Sequence, residues 1–393
     1  MTRHYTRRRL LAASALATAG SIAGCTGEDN DDPRGTNGEE SSDEDSNAPQ
    51  FPRVENPPDA VYVPTHREAM DHLPPVEAGE YTLSPMITYP HSFWLVTGTE
   101  REEVVPDDGR GVHLMVTVLD TETGQVLPVD AGAEMRVSRD GDPVDVRAPW
   151  PMISQTMGFH FGDNVSLPED GVYTVEIGLN PITTRKTGAF EGRLEEAATA
   201  SFEFEYDAAF RERVIGGVEY LDESEWGRRG ALEPRMGGDH GHGDGHHDDG
   251  DHDHDDGHDA HHMPFSALPE ADAYPGADLG VHESGDARFV VRYLSDSRFA
   301  DGGYLLVSPR TPYNRVPLAD MALSVDGAVD ADLEQTLDSE VGFHYGGPVD
   351  LSAGETFELV VEGPPQVSRH AGYETAFLEM PATEIEVPDE ESE

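Results

Sequence analysis

The sequence has 393 residues, which is enough for two ordinary domains or one large domain. Its 78 acidic residues far exceed its 26 basic ones and give a formal net charge of −52, which excludes nucleic acid and anionic membrane surfaces as electrostatic partners. Hydrophobic residues make up 36% and fall in strand-like runs, so an intrinsically disordered acidic chain is excluded as well.

The acidity is spread along the chain, and it predicts adaptation to high salt. At ordinary ionic strength a chain of this charge repels itself. At molar salt the Debye length shrinks to about 3 Å, which removes most of that repulsion. We therefore expect a halophilic protein.

Residues 1–25 have the features of an export signal. Arginines at positions 7–9 precede an apolar stretch over residues 10–24, which has the length of a signal core, and paired arginines indicate the twin-arginine route. The stretch ends in Ala-Gly-Cys, typical of a lipobox, so Cys25 is predicted to be lipidated. An N-terminal membrane helix is the alternative, but the stretch is short for one. Because Cys25 is the only cysteine, no disulfide forms within the chain.

Residues 26–60 are rich in Asp, Glu, Ser, Asn, Gly and Pro, and predict a disordered tether. From residue 61 to residue 222 the pattern changes to short alternating segments separated by turn residues. In residues 172–179, apolar side chains recur at every second position, which is typical of a half-buried strand. These segments predict a first β-sandwich with a short helix near residues 207–214.

Residues 223–264 form a predicted linker with a histidine-rich segment at 239–262. This composition cannot form a core, but neutral imidazoles on a flexible chain can gather transition metals. The alternative is a solvated acidic linker without a metal. The histidines predicted to capture metal are His240, His242, His246, His247, His252, His254, His258, His261 and His262.

A second alternating region follows at 265–387, and an acidic tail at 388–393 ends the chain. Sliding the first region by 184 positions places residues 158–162, Gly-Phe-His-Phe-Gly, on residues 342–346, Gly-Phe-His-Tyr-Gly. Apolar residues of the following strand keep the same phase. We infer a tandem internal repeat and predict an all-β fold with two β-sandwich domains.

The repeated Gly-x-His-aromatic-Gly segment is the best candidate site. Glycines permit a tight turn, and a histidine held there can present a ring nitrogen to a metal ion. The alternative is a histidine that packs beside the neighbouring phenylalanines and bonds a backbone carbonyl. His160 and His344 are the residues concerned.

Met152 and the segment 157–165, Met-Gly-Phe-His-Phe-Gly-Asp-Asn-Val, resemble the periplasmic iron-transport protein family. Its members are small immunoglobulin-like sandwich proteins, often lipoproteins, that are encoded beside iron permeases and bind copper and iron through Met, His and Glu. The chain is also similar to haloarchaeal lipoproteins. The resemblance implies two tandem immunoglobulin-like domains in an archaeal cell-surface protein.

By this resemblance, Met152 and His160 are metal ligands, and the family's later Arg-His segment matches residues 369–370, while Lys186 stands at that position in the first domain. Thr336 and Tyr304 stand where the first domain has Met152 and His113. Methionine and histidine together favour copper, although iron and zinc are compatible with imidazoles. The full set of candidate ligands is Met86, His91, His113, Met152 and His160 in the first domain, with His344 and His370 in the second.

The predicted function is an extracytoplasmic, lipid-anchored protein that binds iron or copper and assists iron uptake by a membrane permease. A structural cell-surface sandwich without a specific metal is the second hypothesis. A third is copper-dependent oxidation of ferrous iron. We expect no enzyme, because the sequence has no Gly-x-Ser-x-Gly, phosphate loop or His-Glu-x-x-His motif.

Overall fold

A computed structural model of the chain describes residues 51–106, 111–234, 264–296 and 298–389. The predicted export signal, Cys25 and the histidine-rich segment 239–262 lie outside the described residues. In the part of the chain that is described, no helix is long and apolar enough to cross a membrane.

The first half of the described chain, residues 51–234, consists mainly of β-strands. They are β1 (His66–Arg67), β2 (Asp71–His72), β3 (Val76–Ala78), β4 (Tyr81–Thr88), β5 (Phe93–Thr97), β6 (Glu100–Val104), β7 (Gly111–Asp120), β8 (Glu134–Arg139), β9 (Asp142–Arg147), β10 (Trp150–Ser154), β11 (Gly158–Ser166), β12 (Gly171–Leu179), β13 (Arg185–Thr187), β14 (Ala198–Tyr206) and β15 (Glu219–Tyr220). A 3₁₀ turn covers Gly188–Phe190.

Helix α1 (Ala208–Gly216) follows β14, so the short helix expected near residues 207–214 is confirmed. Its first turn begins where the carboxylate of Asp207 accepts a hydrogen bond from the Phe210 backbone N–H at 2.7 Å. An Asp at this position satisfies one of the free amides of the first turn.

The second half, residues 264–389, repeats the all-β character. A 3₁₀ turn covers Ala271–Ala273. The strands are β16 (Ala277–Ser284), β17 (Ala287–Leu294), β18 (Tyr304–Arg310), β19 (Ala322–Gly327), β20 (Ala331–Asp338), β21 (Gly342–Pro348), β22 (Thr356–Gly363), β23 (Ser368–Arg369) and β24 (Thr383–Glu386).

The strands form two sandwiches. In the first half, a sheet in the order β2, β4, β7, β11, β10, β23, β5, β6, with β3 paired to β4, packs against a sheet in the order β14, β12, β8, β9. In the second half, strands run in the order β16, β17, β18, β21, β20, β19, β22, β24, with β13 paired to β20. The pair β1 and β15 forms a small separate sheet. The predicted all-β fold with two sandwiches is confirmed.

Alternation along the strands explains the core. On β7, Leu114 and Val116 enter an apolar cluster that extends through both halves, together with Val175 and Ile177 of β12. Successive side chains on a strand point to opposite faces, so His113 lies on the other face of the same sheet. That second face is also buried, and it carries the candidate ligands.

The halves exchange short strands. β13 of the first half pairs in parallel with β20 of the second, Arg185 opposite Thr336. In return, β23 of the second half pairs in parallel with β10 of the first, Met152 opposite Ser368. β23 also pairs with β5 through Arg369 and Trp94. Each half thus supplies a strand to a sheet of the other.

Candidate metal centre

The candidate ligands of the first half lie on neighbouring strands of one sheet. Met152 on β10 is directly opposite His160 on β11, and Asn164 on β11 is opposite His113 on β7. Paired positions in an antiparallel sheet place their side chains on the same face. The sheet therefore gathers Met152, His160 and His113 on its buried outer face.

The exchanged strand β23 brings His370 to this face. The backbone N–H of His370 donates to the Ile153 carbonyl at 3.1 Å. The preceding Arg369 is fully buried, and its guanidinium donates to the carbonyls of Ala376, Pro365 and Phe377. Arg369 therefore anchors the segment that carries His370.

Three other imidazoles converge around His370, those of His91, His113 and His160. The Nδ1 of His370 lies 3.1 Å from His91 Nε2, and its Nε2 lies 3.2 Å from His160 Nε2. The rings of His91 and His113 are 4.2 Å apart between centroids. Nitrogens of His91, His113 and His370 all lie within 4.8 Å of one another. Ligand nitrogens on a tetrahedral ion are about 3.4 Å apart, given metal–nitrogen distances of roughly 2.0–2.1 Å.

Oxygen acceptors fix which nitrogen of each ring faces the centre. His160 Nδ1 donates to the Gly158 carbonyl at 3.2 Å, and His91 Nδ1 donates to the Tyr89 carbonyl at 3.1 Å. With their Nδ1 protons engaged, neutral His160 and His91 present the lone pair of Nε2 inwards. Such outer hydrogen bonds are typical of metal-binding histidines.

Asn164 orients the third ring. Its Nδ2 donates to the His91 carbonyl at 2.9 Å, which leaves Oδ1 to accept from His113 Nδ1 at 3.0 Å. His113 Nε2 is buried and has no hydrogen-bond partner among the described residues. The lone pair of His113 Nε2 therefore has no donor near it, and a metal ion would satisfy it.

The contacts of His370 are compatible with a bound cation. A neutral imidazole carries one N–H, yet His370 faces the Nε2 lone pairs of both His91 and His160. One contact must then join two lone pairs unless a second proton or a metal ion is present. Burial lowers the pKa of His160 to about 4, which opposes protonation at neutral pH. The donor set therefore fits a metal ion.

Burial also determines the charge of the other imidazoles. It lowers the pKa of His113 and of His370 well below the usual value, and the nearby His91 lowers both further. Near pH 7 these rings are uncharged, so they approach one another without repulsion and keep their lone pairs. Metal binding at this centre would not require loss of a proton from them.

A thioether lies beside the imidazoles at Gly162. A β-carbon built on Gly162 would lie 3.0 Å from Met152 Sδ and 3.1 Å from His113 Nε2. The absence of a side chain there leaves room for the sulfur and the free nitrogen to approach one point. The predicted ligands Met152, His160, His113, His91 and His370 are thus close together.

A cleft of about 740 Å³ leads to His91, whose side chain is 10% exposed. Glu68 lines the same cleft, and its Oε1 lies 3.4 Å from His91 Nε2. A carboxylate there supplies negative charge to an incoming cation. Of the proposed ligands, His91 lines this cleft.

Two functional candidates escaped the sequence analysis. The first is the His-x-Glu pair of His66 and Glu68, which begins at β1. His66 Nε2 lies 3.1 Å from the Tyr89 hydroxyl. The second candidate is Asn164, which is the last polar residue of the segment 157–165.

His344 lies apart from this group. Its Nε2 is 3.1 Å from the Tyr304 hydroxyl, and its Nδ1 donates to the Gly342 carbonyl at 3.0 Å. The Arg185 guanidinium, 3.3 Å from the same hydroxyl, adds a positive charge that opposes a cation. The sequence grouped His344 with His370, but the exchange of β23 places His370 in the other half. Burial lowers the pKa of His344 to about 4.

Met86 also lies outside the imidazole group. It is fully buried on β4, opposite Met115 of β7. Its neighbours are the methionines Met70, Met115 and Met157. The nine histidines predicted to capture metal lie outside the described residues, and their role stays a prediction.

Comparison with known proteins gives limited matches. A family profile described as a domain of unknown function, DUF7350, matches residues 272–386. Among curated proteins, no match was found.

Two solved structures of FetP from uropathogenic Escherichia coli strain F11 are similar to this chain. One is described as a copper-bound variant and the other as protein isolated after recombinant expression in the periplasm. Each is 20% identical over 35% of this chain, with a TM-score of 0.28, and the matches cover 97% and 95% of those chains.

Proposed function

We propose that this protein binds a transition metal ion at His91, His113, His160 and His370, with Met152 beside them. The observation that carries the proposal is the position of His370 between His91 and His160, at 3.1 and 3.2 Å. Imidazole nitrogens suit copper, iron and zinc, and an adjacent thioether favours Cu(I). Copper and iron are therefore the metals we propose.

The proposed wider role is supported by the resemblance and by the predicted export signal. We propose a lipid-anchored protein outside the cytoplasm that hands metal to a membrane permease during iron uptake. In this proposal the histidine-rich segment gathers ions, and the cleft at Glu68 and His91 admits them. The formal net charge of −52 supports this role, because negative charge attracts cations.

The alternative is a structural cell-surface sandwich without a specific metal. It would require the candidate side chains to point away from each other, whereas His91, His160 and His370 point towards one another. Burial of uncharged imidazoles with unsatisfied lone pairs also has no structural advantage, since a buried polar atom without a partner is destabilising.

The test is a metal titration of the full chain in the presence of a chelator that outcompetes the histidine-rich segment 239–262. We expect one tightly bound copper or iron ion per chain, measured with Cu(II) or Fe(II) as the titrant. His160→Ala and His370→Ala should each weaken binding by 100-fold or more, because each removes a ligand nitrogen from the centre.

His344→Ala is the matched control, because it removes the equivalent buried histidine of the second half. It should leave the affinity unchanged, and near-ultraviolet circular dichroism should report an intact fold in all three variants. Unchanged affinity in folded His160→Ala and His370→Ala would reject the centre and favour the structural alternative.

A further inference from the structure

A second group of potential ligands lies next to the histidine centre. Met70, Met86, Met115 and Met157 pack together in a buried cluster, which we call the methionine cluster. Met86 and Met115 are opposite each other on β4 and β7. Met86, Met115 and Met157 are at most 1% exposed, and Met70 is 9% exposed.

The composition of the cluster is unusual for a core. Among the described residues, no leucine, isoleucine, valine or aromatic side chain belongs to it, while Met135 and Met380 mix with such residues in the main core. Ordering a methionine side chain loses about 1.5–2 kcal/mol of rotamer entropy, against about 0.5–1 for leucine. Packing alone would therefore favour leucine at these positions.

The cluster adjoins the histidine centre at Gly162. The β-carbon built on Gly162 would lie 3.3 Å from Met115 Cγ as well as close to Met152 Sδ and His113 Nε2. Gly162 does not adopt a left-handed backbone conformation, so the backbone does not require glycine there. Glycine instead keeps open the space where the two groups meet.

Unpartnered polar atoms lie on the same face. His113 Nε2 and the Thr117 hydroxyl are fully buried without hydrogen-bond partners among the described residues. His113 and Thr117 flank Met115 along β7, each two residues from it and on the same face of the strand. A cation at this place would find sulfur ligands and two polar atoms around it.

We propose that the methionine cluster is a second metal site, which binds a soft monovalent ion such as Cu(I) or its analogue Ag(I). Thioethers select such ions over hard divalent ones. The thioethers of the cluster do not titrate, so they remain able to bind the ion at acidic pH. The cluster lies next to the histidine centre and adds a site of different chemistry to the proposed function.

The test is a titration of the full chain with Ag(I) in nitrate at pH 5. Imidazoles with an unperturbed pKa near 6.5 are mostly protonated there, whereas thioethers do not titrate. The double variant Met86→Leu/Met115→Leu keeps the side-chain volume, and Leu–Met exchanges usually destabilise by less than about 1.5 kcal/mol. We expect it to bind one Ag(I) fewer than the natural chain.

The matched control is Met135→Leu/Met380→Leu, which changes two buried methionines of the main core and should keep the full silver stoichiometry. His91→Ala/His370→Ala should keep the methionine-bound ion, so failure of the histidine centre is distinguishable from failure of this site. Met157→Leu, a milder change, should weaken Ag(I) binding. An unchanged stoichiometry and affinity in folded Met86→Leu/Met115→Leu would overturn the proposal.

Discussion

His370 Nε2 lies 3.2 Å from His160 Nε2, although 210 positions separate the two residues. The contact exists because β23 of the second half inserts beside β10 of the first. A centre built in this way depends on both sandwiches. Its ligands cannot come together unless the two halves have docked.

Gly162→Ala should weaken metal binding at the histidine centre. The added methyl group would lie 3.0 Å from Met152 Sδ and 3.1 Å from His113 Nε2, and overpacking of this kind destabilises by about 1–3 kcal/mol. We expect at least about a tenfold loss of affinity for Cu(II), measured by chelator competition.

Gly178→Ala is the control for Gly162→Ala. Gly178 also lies within a strand, β12, but a β-carbon there would contact nothing within 4 Å. This variant should keep the metal affinity and be slightly more stable, because glycine in a strand loses more backbone entropy on folding. Equal affinities in the two variants would contradict the arrangement at Gly162.

Asn164→Ala should lower the metal affinity by about 10- to 100-fold, the usual effect of losing a hydrogen bond that orients a ligand. The substitution removes the acceptor of His113 Nδ1–H and the donor to the His91 carbonyl. The affinity is measured by chelator competition. Asn180→Ala, at an exposed position whose amide donates to the Gly132 carbonyl, should have no effect, and a loss of the same size there would argue against a role in positioning.

The metal-free protein should lose stability as the pH falls from about 6.5 towards 4. The folded-state pKa values of His160 and His344 are about 4, below the unfolded value near 6.5, so between these limits only the unfolded chain takes up these protons. The stability is present above pH 6.5, and each histidine accounts for a loss of about 3 kcal/mol. Thermal unfolding at pH 7, 6 and 5 measures it.

His344→Gln should have a smaller decrease in melting temperature between pH 7 and pH 5, because one of the titrating groups is gone and the metal centre is untouched. Histidines with ordinary pKa values in both states contribute nothing to this dependence. A pH profile identical to that of the natural chain would show that His344 is not buried as an uncharged ring.

Molar potassium chloride should raise the melting temperature by several degrees. The formal net charge of −52 opposes the compact state, and salt shortens the Debye length from about 10 Å at 0.1 M to about 3 Å at 1 M. Glycerol at equal osmolality separates screening from exclusion effects. A melting temperature that responds equally to both solutes would exclude charge screening as the cause.

Local sequence patterns were sufficient to predict that the chain forms β-strands. Period-two alternation predicted β12, because burial of one face acts over a few residues. The short helix predicted near residues 207–214 corresponds to α1. The segment 157–165 identified His160 and, through the resemblance, Met152. On β10 and β11 these two residues are direct neighbours.

The sequence by itself determined the sandwiches and the identity of most candidate ligands. Only the tertiary structure decided which of them meet: His370 joins His160 rather than His344, and Met86 joins other methionines. Strand exchange between halves is a long-range choice, set by the packing of two whole sandwiches and by anchors such as the buried Arg369. No pattern within a few residues of His370 encodes the strand beside which it lies.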